Sequence, residues 1–142
     1  MSLDVAPSLI EQAERGQVDE AEFVATVARS LPYAWSVMSG VAGELAGGFA
    51  NSEGFADHAT PPPSEAERGQ LLRALASDAI WGALERHFGV RFAFQNCHRV
   101  AAFRPEDVEG DGYREFVSVR SQVLNQSPAL RDWLTGGSVG AS

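Results

Sequence analysis

The chain contains no lysine; all 11 of its positive side chains are arginine. Without lysine there can be no GxxxxGK[ST] phosphate loop, and no GxGxxG is present, so the familiar nucleotide-hydrolysing arrangements are not expected. Heavy use of Ala, Gly and Arg without Lys points to a GC-rich bacterial genome, which concerns origin rather than function. Cysteine is almost absent too. The single Cys97 rules out an intramolecular disulfide and fits a reducing compartment. No run of about 18 apolar residues exists, so no membrane-spanning helix is expected. The opening "MSLDVAPSLIEQAERG" lacks a basic start followed by an apolar core, so no secretory signal is expected and the protein reads as cytoplasmic.

Positive charge is scarce as well. The net charge is -8, and nonspecific nucleic-acid binding needs a basic surface, so neither nucleic acid nor membrane is expected as a partner. The deficit is uneven. Residues 1–63 carry nine acids against Arg15 and Arg29, a net of -7, whereas residues 64–142 carry ten acids against nine arginines, a net of -1. An acidic half can attract a basic partner; its everyday role is a solvated surface.

What is present describes an ordinary globular chain. Its 142 residues, 44% of them apolar, suit a single domain over 1–135 with a core of its own, ending in a frayed tail at 136–142. The expected fold is α+β and predominantly α, with five or six helices packed with one β-hairpin at about 90–103. A short helix follows Pro7. A second is capped by Asp19, with Phe23, Val24, Val27, Ala28 and Leu31 on one stripe. A third restarts at Pro32. In it Ser39, Gly43 and Gly47, and likewise Ser36 and Gly40, recur every four positions; such a strip suits close helix packing, expected inside the fold. Ser64 and Glu67 form a capping box opening one long helix to Gly89, with Leu72, Leu75, Ala79, Ile80, Ala83, Leu84 and Phe88 inward. Asp111 opens another, with Tyr113, Phe116, Val117, Val123 and Leu124 inward. "SPALRDWL" forms the last. The stretch 47–63 has no period and reads as an irregular loop, of a length often tied to function.

The stretch "FAFQNCHRVAAF" (Phe92 to Phe103) carries the register argument. Placing Gln95 opposite Arg99 leaves Asn96, Cys97 and His98 as the loop. Phe94 then faces Val100 and Phe92 faces Ala102, all on one face, while Arg91, Gln95 and Arg99 share the other with Ala93, Ala101 and Phe103. A slip of one residue puts Arg99 among the phenylalanines. Three-residue loops favour a left-handed last residue, here His98.

No catalytic constellation stands out. Cys97 and His98 are neighbours at a turn, and neighbours in extended chain point apart, which makes them a poor nucleophile–base pair. Cys97 reads as a structural turn cysteine, with a reactive thiol as the sharper alternative. A metal site would have to assemble Asp57, His58, His87, Cys97 and His98 from afar, because CxxC, HxxxH and HExxH spacings are all missing; no metal or other cofactor is expected. Arg91 and Arg99 can grip an acidic group through forked hydrogen bonds, with His58 or His98 moving protons. Their plain alternative is pairing with nearby carboxylates.

Two functional expectations follow. The first is a non-enzymatic interaction or accessory protein, acting on another protein or as a homodimer, with Phe49, Phe55 and Trp133 as contact residues. The second is an acidic-ligand binder or enzyme using Arg91, Arg99, His58 and His98 in a pocket between the 47–63 loop and the hairpin. A metal- or thiol-dependent version ranks third.

Overall fold

The computed structural model describes residues 2–96 and 98–125. Cys97, Trp133, the expected helix at 127–134 and the tail at 136–142 lie outside the described residues. Among the described residues, seven α-helices and a three-stranded antiparallel sheet make a mostly helical α+β fold.

The first three helices follow the sequence closely. Helix α1 (Pro7–Glu14) starts on a proline, whose missing N–H costs nothing there. Helix α2 (Glu20–Ser30) is capped by Asp19, whose carboxylate accepts the Ala21 N–H. Helix α3 (Pro32–Ala46) buries Ala34, Val37, Met38, Val41, Ala42 and Leu45. The strip of small residues on α3 does not pack internally as expected. Gly40 and Gly43 are exposed, and among the described residues a Cβ on either would meet nothing within 4 Å. Large apolar residues on the opposite stripe give α3 enough buried area, so the glycine side turns to solvent.

Two expected helices are each broken in two by a serine cap. Helix α4 (Glu65–Leu75) begins at the Ser64 cap, and its Glu67 carboxylate accepts the Ser64 hydroxyl at 2.7 Å. It stops at Ala76, and Ser77 then caps α5 (Asp78–Phe88) by accepting the Ile80 N–H. The break resets the inward face. Leu71, Ala74, Leu75, Ile80, Ala83 and Leu84 are buried, while Leu72 and Ala79, expected inward, are exposed. Gly89 closes α5 in the left-handed region at φ 68°, where glycine carries no Cβ penalty. Likewise α6 (Asp111–Phe116) ends before Ser118, which caps α7 (Val119–Leu124) through the Ser121 N–H. Of the residues expected inward here, Phe116 is buried, but Val117 and Val123 are exposed.

The hairpin has the expected register. Strands β2 (Arg91–Gln95) and β3 (Arg99–Phe103) pair Gln95 with Arg99, Phe94 with Val100 and Phe92 with Ala102. The left-handed residue is Asn96 at φ 58°, not His98. Asparagine tolerates that region better than most residues. The third strand lies inside the expected irregular loop. Strand β1 (Ala56–His58) joins the other side of β3, giving the order β1-β3-β2.

The sheet is covered on both faces. Phe92, Val100, Ala102 and Ala56 join the main core with the helices α2 to α5. Ala93, Ala101 and Phe103 form a second, smaller core with Phe55 and Phe116. Aromatic contacts tie it together: the Phe55 and Phe103 centroids are 4.6 Å apart, and Tyr113 meets Phe103 edge-on at 5.1 Å.

Candidate functional site

Two regions can be asked whether they hold a site: the junction of loop and hairpin, and the outer surface of α1, α2 and α5. Sequence reasoning singled out only the first.

At the junction, Asn51 organises the loop. Its side-chain oxygen accepts the N–H groups of Glu53 and Phe55, and its own N–H donates to the Phe55 carbonyl at 2.8 Å. This turn swings Phe55 into the second core and leaves Phe49 outside. Phe55 is 2% exposed and Phe49 78% exposed. Of the pair expected to contact a partner, only Phe49 presents its ring to solvent.

The arginines are spoken for. Arg99 donates from Nε to the Asp57 carboxylate at 2.9 Å and from Nη1 to the Gln95 side chain at 2.9 Å, with its guanidinium 4.9 Å above the Phe116 ring. Gln95 is buried and donates to the Phe116 carbonyl at 2.6 Å. The group is a closed chain of polar contacts holding β1, the hairpin and α6 together. Arg91 lies further along the hairpin and pairs with Glu85 at 3.4 Å.

Two cavities flank this junction. One, of about 130 Å³, includes Glu53, Gln95, Arg99, Glu115 and Ser121 in its lining. The other, of about 140 Å³, lies between α3 and β1 and includes Tyr33, Ser36, Gly40, Glu44 and His58. Each holds one of the four expected ligand-binding residues, Arg99 in the first and His58 in the second; Arg91 and His98 line neither. Each has room for only a few water-sized atoms. The Nε2 atom of His58 is buried without a hydrogen-bond partner. Burial and the charge of Glu67 push the Tyr33 hydroxyl above its usual 10. His87 is exposed, with its ring 5.7 Å from that of Trp35. Among the described residues, no three His, Cys, Asp or Glu side chains converge as a metal site would require. No described helix is long and apolar enough to cross a membrane.

The second region is larger and apolar. Helix α1 folds back on α2 through a turn fastened by Gln12, whose side chain accepts the Asp19 N–H at 2.9 Å and donates to Glu22 at 3.3 Å. Arg29 donates to the Asp4 carbonyl, and Ser30 accepts the Asp4 N–H at 2.7 Å, pinning the segment before α1. Between α1, α2 and α5 these ties leave a groove of about 630 Å³. Leu9, Ile10, Val18, Phe23, Ala79 and Ala83 line it. Ile10 is 48% and Val18 47% exposed. On its rim Arg86 grips Glu20, with contacts of 2.6 and 3.0 Å. That hydrogen bond holds the Glu20 carboxyl below its usual 4.5 and raises Arg86. Ile10 and Val18 carry no role in the sequence pattern and Ala79 was expected inward, so the groove shows only once α1 is folded back on α2.

A model of the family described as "NucS shadow ORF" matches residues 1–133. The chain belongs to that family. No curated protein and no solved structure matches it. The family's span takes in both regions just described and stops before Gly136–Gly140, "GGSVG", where the chain carries a GxSxG spacing. That spacing serves as a nucleophile elbow only between a strand and a helix, and it lies outside the described residues.

Proposed function

We propose that this chain is a non-enzymatic cytoplasmic protein of bacterial origin that associates with a second copy of itself through the groove between α1, α2 and α5. The observation that carries this reading is the groove itself: about 630 Å³ with Ile10 and Val18 half exposed in it. Exposed apolar patches of this kind mark association surfaces or ligand-binding grooves. The charge at the rim fits a like partner. Two copies at -8 each repel overall, but Glu20 and Arg86 neutralise one another where the surfaces would meet. The acidic-ligand reading has less behind it, because Arg99 and Arg91 already hold carboxylates.

Sedimentation of the purified chain tests the reading. A dimer in the low micromolar range, converted to monomer by Ile10→Ser with Val18→Ser at unchanged melting temperature, is the expected result. A wild-type monomer at about 100 µM, where even weak specific pairs associate, would overturn it.

A second reading rests on the family's description and on composition. The family's description names a shadow reading frame of NucS, which on this reading shares its DNA with that gene. Stop codons are AT-rich, so GC-rich DNA keeps long frames open by chance, and a chain without lysine fits such DNA. On this reading the frame persists because the overlapping gene does, and the chain performs no task of its own. Peptides of this chain in the proteome of a host cell, lost when its start codon is changed silently for the overlapping frame, favour the first reading. Their absence under conditions where NucS is detected favours the second.

A further inference from the structure

Among the described residues, strand β2 lies at the edge of the sheet, and an edge strand offers its outer N–H and C=O groups to any second strand. Register shows which groups these are. Gln95 and Arg99 close the hairpin, and backbone direction alternates along a strand, so Arg91, Ala93 and Gln95 turn their backbone groups to β3. Phe92 and Phe94 turn theirs outward. Phe92 confirms the assignment, because its N–H donates not to β3 but to the Glu85 carboxylate at 2.8 Å.

Glu85 is well placed to take it. It sits in the last turn of α5, and its backbone carbonyl accepts the N–H groups of Gly89 and Val90, which turn the chain directly into β2. Its side chain is largely buried, and the same oxygen that accepts from Phe92 lies 3.4 Å from Arg91 Nε. One side chain thus occupies the edge donor and neutralises its neighbouring charge.

The strand it covers is self-complementary. An antiparallel pairing of β2 with a second β2, centred on Ala93, sets Phe92 opposite Phe94 twice and Arg91 opposite Gln95 twice. No like charges oppose one another, and the aromatic pairs share one face. Phe94 is 41% exposed, and its ring meets that of Trp81 edge-on at 5.3 Å.

We propose that Glu85 is an edge lock: its carboxylate occupies the outer N–H of β2 and so excludes the strand's natural occupant, the β2 strand of a second copy. The lock is separate from the α1/α2/α5 groove and does not rest on association there.

The test compares the full-length wild type with Glu85→Ala, which removes the acceptor, and Glu85→Gln, which keeps one. Light scattering at rising concentration gives the mass, and hydrogen exchange reads the edge amides. Glu85→Gln is expected to keep the wild-type mass. Glu85→Ala is expected to double that mass and to slow exchange at Phe94 at least tenfold as concentration rises. Adding Phe94→Pro to Glu85→Ala removes an outward donor and restores the wild-type mass. A folded Glu85→Ala protein that keeps the wild-type mass overturns the proposal. Should Glu85→Ala fail to fold, the wild type decides: Phe92 is expected to exchange at least tenfold more slowly than Phe94, and equal rates overturn the lock.

Discussion

Phe49 and Phe55, six positions apart in one loop, end in opposite environments: the first ring is in solvent and the second lies 4.6 Å from Phe103 inside the smaller core. Their truncations should therefore separate cleanly. Phe55→Ala leaves a hole among Phe103 and Phe116 and is expected to cost about 3–4 kcal/mol. Phe49→Ala is expected to change stability by less than about 0.5 kcal/mol. Urea unfolding of both variants checks this, and comparable losses would contradict the placement of Asn51's turn.

The glycines of α3 give a prediction of the opposite sign. Gly40 and Gly43 have helical neighbours on both sides, and nothing occupies the space a Cβ would need. Alanine at either position is expected to stabilise the protein by about 0.5–1 kcal/mol, by restricting the unfolded chain and favouring the helix. A thermal melt of each variant should move upward. A fall would mean that the strip is covered by something in solution.

The Asp57–Arg99 contact joins β1 to β3 in a place where both side chains are mostly shielded. Arg99→Met leaves the Asp57 carboxylate and the Gln95 carbonyl oxygen without their donor, and is expected to cost about 2 kcal/mol. Asp57→Asn added to it should cost less than the sum of the two single changes, because the stranded charge is gone. A double-mutant cycle measures the difference, and strict additivity would show that the two groups do not interact.

The Glu20–Arg86 pair predicts a pH dependence. Its hydrogen bond lowers the folded Glu20 value beneath the usual 4.5. Its contribution is thus present above that usual value and disappears as pH falls through the lower folded one. The stability gap between wild type and Glu20→Gln is expected to be constant near neutrality and to close in acid. The pair is open to solvent, so added salt should shrink the gap at neutral pH too. A gap that widens in acid would contradict the assignment.

Much of this fold was legible because alternation and helical spacing are strong local signals. Phe92, Phe94, Val100 and Ala102 fixed one register by themselves, and the structure has it. The Asp19, Ser64 and Gly89 helix signals were read correctly for the same reason. The breaks at Ser77 and Ser118 were hidden. Apolar residues continue on a helical period across both caps, so spacing alone joins what a serine divides. Strand β1 was invisible for a different reason: Ala56, Asp57 and His58 are too few to show a period, and only β3 makes them a strand. The apolar groove depends on how α1 folds back through Gln12, a tertiary matter that no window of sequence records.

The placement of β1 has a consequence for how the chain assembles. Asp57 pairs with Ala101, and everything between them, α4, α5 and β2, must be gathered before those residues meet. Closing a loop of that length costs roughly 3 kcal/mol of chain entropy, against about three residues of strand to repay it. The hairpin, by contrast, closes across three residues. The sheet is therefore expected to grow from β3 outward, the β2 side first and the β1 side last, with the loop bearing Phe55 the final piece to settle against Phe103. On that order, Ala93, Ala101 and Phe103 would stay open to water until the loop arrives.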